Sequence, residues 1–205
     1  MADAAVSSVH PAPSGEPSHP VMSVGMMGMY VFLASEVMFF GSLFATYFYL
    51  FGSHPLGWPP SGTEAVHWFP IPWVNTVILI SSGVTCHFAA DAMARDNRRR
   101  FYLLVVSTLL LGIFFEVGQV YEFLTARMSF SGSNQFSSAF FTMTGFHGLH
   151  VLGGLIFLTL VMGRAMKGQF NSKHHVAVAA ATLYWHFVDV VWIFLFGILY
   201  LAVTG

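Results

Sequence analysis

Residues 176–203 read VAVAAATLYWHFVDVVWIFLFGILYLAV, an apolar run broken near its centre by His186 and Asp189. A bilayer core about 30 Å thick takes about 20 helical residues to cross, so this run is long enough to span it. It has no two-residue alternation, which argues for a helix rather than a barrel strand. Runs at 22–51, 73–93, 101–124 and 136–162 meet the same length. Hydrophobic residues make up 56% of the 205 and charged residues 8%, and the mean hydropathy is +0.68, a balance that excludes an ordinary soluble domain. The expected fold is an all-α integral membrane protein, a bundle of five transmembrane helices filling residues 22–205.

Residues 1–21 are rich in Ala, Ser, Pro and His and hold no Lys or Arg, which reads as a flexible tail. A secretory signal would place a basic segment before a short apolar core, and the first span is too long for one. Cations set the expected orientation. Arg95, Arg98, Arg99 and Arg100 follow the second span, Arg164, Lys167 and Lys173 follow the fourth, and only Arg127 lies at the other end. The positive-inside rule then puts both basic loops and the N-terminus in the cytoplasm and the C-terminus outside. The loops around 52–72 and 129–138 have turn-forming compositions and fall on the outer side. No internal repeat is visible, which argues against a transporter of duplicated halves. Phosphate-binding loops and nucleic-acid motifs are absent; Arg98 to Arg100 read as a topology signal that also meets anionic lipid.

The informative residues are ionisable groups at bilayer depth: Glu36, Glu116, His147, His150, His186 and Asp189. Each costs a few kcal/mol in hydrocarbon and has to turn toward a partner. Glu36, with Gly28 and Gly41 nearby offering close backbone approach, is either a proton relay or head-group partner, or a neutral acid bonded to a neighbouring helix. Glu116, Gln119 and Glu122 recur every third residue, a stripe that favours interhelical hydrogen bonding, with Glu122 near enough to the outer surface to be solvated. His147, His150 and His186 suit haem iron or another metal by ligand type. Cys86 is the sole cysteine, however, so the chain builds no disulfide and no thiolate metal site. Gly145, Gly148, Gly153 and Gly154 point instead to a close helix contact that histidines bridge, and no metal site is expected. Trp185, Asp189 and Trp192 share a helix face, and His186 and Asp189 are spaced to pair, a polar clamp between helices rather than a catalytic pair.

Ser35-Glu36-Val37, Ser82-Gly83-Val84, Thr144-Gly145-Phe146-His147-Gly148-Leu149-His150-Val151, His174-His175 and Tyr184-Trp185-His186-Phe187-Val188-Asp189-Val190-Val191-Trp192 occur in that order. Together they resemble subunit III of haem-copper terminal oxidases, most closely the cytochrome c oxidase branch, from the first span to the C-terminus. The resemblance implies a short, five-helix form lacking the first two helices of longer members, whose lipid-filled cleft those helices help to wall. It implies a non-catalytic subunit of a respiratory complex that reduces O2 to water and pumps protons, with haem and copper held in partner subunits and none bound by this chain. It further implies packing on subunit I and association with subunit II, in a bacterial plasma membrane, and leaves open a place in a respiratory supercomplex. Support of proton uptake and of stability during turnover follows from the same likeness. By resemblance, Glu36 is the family's buried carboxyl, Arg164 holds a phospholipid phosphate, and His174 and His175 match a cytoplasmic-side pair. As a residue type histidine changes charge near neutral pH, so that pair, with His10 and His19 of the tail, reads either as a proton buffer at the cytoplasmic surface or as solvated loop and tail histidines. A family acid four residues after that pair is Ala179 here, so its role does not transfer. Two other readings stand: subunit III of a quinol oxidase or a nitric-oxide-reductase-associated relative, and an independent membrane enzyme using His147, His150 and His186.

Overall fold

The structure, a computed structural model, describes residues 23–54, 57–60, 70–126, 134–172 and 174–202. The expected tail at 1–21, with His10 and His19, lies outside the described residues, as do Arg127, Lys173 and most of both outer loops. Five helices account for nearly everything else: α1 (Val24–Gly52), α2 (Ile71–Ala94), α3 (Arg98–Thr125), α4 (Gln135–Met166) and α5 (Val176–Phe196), the last continuing through a π-helical turn at Gly197–Leu201. All five are long and apolar enough to cross a membrane, and no strand occurs among the described residues.

Their ends are set by local chemistry. Ser23, Asn97 and Asn134 turn side-chain oxygens onto the first free backbone N–H groups of α1, α3 and α4, and Pro72 opens α2 where its missing N–H is harmless. Asp96, at φ 52°, makes the left-handed turn between α2 and α3, and Gly168, at φ 74°, does the same after α4. Several Ser and Thr hydroxyls inside the spans bond back to their own helix, as Thr46 does to Ser42 O at 2.8 Å and Thr159 to Leu155 O at 2.7 Å, which satisfies them without water.

Four helices close a ring: α2 packs on α3 and α5, and α4 packs on α3 and α5. α1 leans on the outside against α4 and α5. Half of the most apolar window of α5 is buried, against 17% for α1, which makes α5 the axle and α1 the periphery. Two wholly buried indoles tie α5 to α2. Trp185 Nε1 donates to Ser82 Oγ and Trp192 Nε1 to Thr76 Oγ1, both at 3.0 Å. Each hydroxyl passes its own proton to a carbonyl of α2, Leu79 O and Pro72 O, so the chain of donors ends satisfied. The Trp185 ring fits only because glycine stands opposite: a Cβ on Gly112 of α3 or Gly154 of α4 would sit 2.8 Å from it. Gly28 and Gly41, expected to allow close helix approach, have nothing within 4 Å of such a Cβ, because α1 is peripheral on those sides.

The α2–α3 and α4–α5 turns meet at one end of the bundle. Arg98 Nη2 donates to Phe170 O at 3.1 Å, and the Ser172 N–H donates to Asp96 Oδ1 at 2.9 Å. Hydrogen bonds from Ser172, with smaller help from the positive Arg98, hold the Asp96 carboxyl below the usual carboxylate range. Its native value is thus depressed, so the tie is in place above about pH 4 and is lost as pH falls through the native value. Hydrogen exchange should show a protected Ser172 amide at neutral pH and lose that protection in acid; Asp96→Ala should lack it at both, and an equally protected variant would refute the tie.

Candidate functional site

Among the described residues α1 meets the bundle through two polar contacts: Tyr47 OH donates to Ile198 O at 2.9 Å near the end of the helix, and a second contact lies at mid-span. His150 on α4 and Glu36 on α1 approach to 2.8 Å between Nε2 and Oε2, each side chain only 17% exposed. His150 Nδ1 lies 2.7 Å from Phe146 O, and a carbonyl only accepts, so Nδ1 carries a hydrogen. One proton is therefore shared between Nε2 and the carboxyl: a neutral acid donates to imidazole, or an imidazolium donates to carboxylate. The Phe39 ring stacks on His150 at 5.9 Å and Phe40 meets its edge at 4.8 Å, which shields the pair from lipid. Tyr184 OH of α5 donates to His150 O at 2.9 Å and so joins the third helix to the same point.

Toward the loop end, α1, α4 and α5 diverge around a cleft of about 580 Å³. Its walls are apolar or small, among them Gly25, Gly28, Phe32 and Phe157, and its loop end carries Arg164, Gln169 and His174. Arg164 belongs to the last turn of α4 rather than to the loop after it. Its Nε donates to Gln169 Oε1 at 2.8 Å and its guanidinium lies 5.3 Å from the Phe170 ring centre, which fixes the plane of the fork and leaves it exposed beside the cleft. Gly28 leaves the cleft open along α1, since a Cβ there would meet nothing within 4 Å. His175 precedes α5, its Nδ1 3.2 Å from Asn171 O, and is partly exposed; His174 is exposed.

The remaining sequence candidates are spread among different interfaces. His147 is fully buried on the inner side of α4, stacked on Trp192 at 5.1 Å and edge-on to Phe115 at 5.9 Å, and neither ring nitrogen makes a hydrogen bond among the described residues. His186 Nδ1 lies 3.6 Å from Asp189 Oδ2 on the α2 side of α5. His147, His150 and His186 thus turn to three different neighbours. Among the described residues no three of His, Cys, Asp and Glu lie where they could hold a metal ion. The His-based reading loses its geometry because His147 is packed inward against Phe115 and Trp192, His150 is turned to Glu36 of α1, and His186 lies beside His87 of α2. Glu116 faces α4, its carboxylate 3.5 Å from where a Gly148 Cβ would stand. Glu122, expected to be solvated, is 6% exposed, because the π-helical turn of α5 brings Tyr200 against it and Gln119.

Sequence reasoning missed four contacts. A Cβ on Gly83 would collide with Asp189, and one on Gly118 with Asn75. Thr85 and Thr108 link α2 to α3 at 2.8 Å, and Cys86 contacts Thr182 Oγ1 at 3.7 Å.

The geometry can be set beside known proteins. The family model for cytochrome c oxidase subunit III matches residues 9–203. A cytochrome c oxidase subunit 3 from Thermostichus vulcanus is 45% identical over 184 residues, which cover 89% of this chain and 89% of that one. Counterparts of the same name from Aedes aegypti and Rattus norvegicus are 44% and 39% identical, over 84% and 88% of this chain and 67% and 71% of theirs. A five-helix membrane bundle with this match over most of its length belongs to the cytochrome c oxidase subunit III family.

Proposed function

We propose that the chain is the non-catalytic third subunit of a proton-pumping cytochrome c oxidase, that it holds a phospholipid in the α1–α4–α5 cleft, and that it supplies protons from the basic end of the bundle. The names of the relatives favour cytochrome c over quinol as the electron source. In this reading O2 is reduced to water at haem and copper held by subunits I and II, and this subunit packs against them in a bacterial plasma membrane. The basic turns and the N-terminus then face the cytoplasm, in line with the clustering of Arg95, Arg98, Arg99, Arg100 and Arg164 at one end.

The observation that carries the lipid assignment is the pairing of an open apolar cleft with an oriented guanidinium at its end. Acyl chains fit the apolar walls, and a planar fork matches a phosphate in two-point contact. Arg164→Gln should weaken the hold on that phosphate by roughly ten- to a hundred-fold, the effect of losing one charge-assisted contact. Lipid analysis of the purified oxidase should then find less bound phospholipid, and activity should decay sooner during turnover. Full lipid content in the variant would overturn the assignment.

Proton supply rests on groups near the same cleft. His174 and His175 sit exposed and partly exposed at the loop end, where imidazoles meet water, and Glu36 and His150 share a proton one helical turn beyond Phe32 of the cleft wall. Replacing both His174 and His175 by Ala should slow turnover of the assembled oxidase in the alkaline range, where protons are scarce, and leave it near normal in acid. Equal slowing at every pH would point to a structural defect instead.

A further inference from the structure

The face of the bundle formed by α2 and α5, away from the lipid cleft, has a composition that lipid does not explain. On α2 the exposed residues Val77, Ile80, Val84 and His87 recur at intervals of three and four, the spacing of a helix seam. On α5 His186, Val190 and Ile193 repeat that spacing, with His186 40% exposed. The two helices pack against each other, so the two stripes flank a shared groove. The imidazoles meet within it, ring centres 6.0 Å apart.

Depth makes this face unusual. His87 lies about 10 Å from the Ala94 end of α2 and His186 about 15 Å from the Val176 end of α5, which puts both within the span of a hydrocarbon core about 30 Å thick. Neither ring is satisfied by a hydrogen bond shorter than 3.5 Å within the described residues: His87 has only ring contacts, and His186 has Asp189 at 3.6 Å. Asp189 is buried behind them, one oxygen against Gly83 and the other without a hydrogen bond among the described residues. Acyl chains cannot answer imidazole nitrogens. A transmembrane helix can, if it brings a hydroxyl or carboxamide, groups that both donate and accept and so satisfy imidazole in either tautomer. The apolar residues along both stripes, exposed in the isolated chain, would seal such a contact from lipid.

We propose that the α2–α5 groove centred on His87 and His186 is the docking site for a transmembrane helix of another oxidase subunit, which presents a hydroxyl or carboxamide side chain at the depth of the two rings. The inference rests on the assignment to an oxidase complex and adds the face by which the chain is held.

The test uses the assembled oxidase with the photoreactive residue p-benzoylphenylalanine at Val84 or Val190, and at Val117 on the exposed side of α3 for comparison. Irradiation followed by mass spectrometry should place the Val84 and Val190 adducts on a membrane-spanning segment of another oxidase subunit. Adducts on phospholipid, or on a second copy of this chain, would overturn the proposal. Failure of the wild-type chain to co-purify with the oxidase would instead defeat the broader assignment, so the two failures are distinguishable. His87→Leu alters an exposed ring that makes no hydrogen bond among the described residues and so leaves the fold intact. It should release the subunit about three- to fifteen-fold faster in detergent, the effect of one interhelical hydrogen bond. An unchanged rate would overturn the part assigned to the histidines.

Discussion

The two indole N–H groups that α5 hands to hydroxyls of α2 are the interaction on which the other features depend. An indole in hydrocarbon must place its N–H, and Trp185 and Trp192 do so at 3.0 Å on Ser82 and Thr76. The two donors are two turns apart on the same face of α5, so they fix both the rotation and the height of that helix against α2. With α5 locked, His186 and Asp189 are carried to the outer edge of the α2–α5 contact and Tyr184 to the α4 side, where it bonds His150 O. The polar pair with α1 and the loop-end cleft follow from where α4 and α5 then stand.

Polar groups inside the span divide by what answers them. Ser82, Thr76, Thr85 and Thr108 are answered within the chain. Glu36 is answered by His150, with a proton between them, which ties the least buried helix to the bundle through a group able to change charge. His87 and His186 face outward at depth. That division matches a subunit with an inner structural seam, a lipid-facing cleft on one side and a protein-facing groove on another.

Much of the fold was legible because a helix that crosses a membrane has to be apolar for about 20 residues. The five runs and the ordered motifs, including His147 to His150 and Trp185 to Trp192, carried both the architecture and the family. Contacts across helices were less legible. A glycine in a sequence does not state what stands opposite it: Gly28 and Gly41 face open space, while Gly83, Gly112 and Gly118 face Asp189, Trp185 and Asn75. Glu122 looked solvated from its place near a helix end, and only the π-helical turn that swings Tyr200 over it makes it buried. His147, His150 and His186 looked like one cluster by depth, and the structure turns them to different neighbours.

The most direct measurement of the central claim is a double-mutant cycle between Ser82→Ala and Trp185→Phe, read as thermal stability of the assembled oxidase subunit in detergent. The account predicts that the two changes are coupled by about 0.6–1.7 kcal/mol, since either one alone already removes the bond. Strictly additive losses would mean that the indole and the hydroxyl do not hold α5 to α2, and would contradict the account at its foundation.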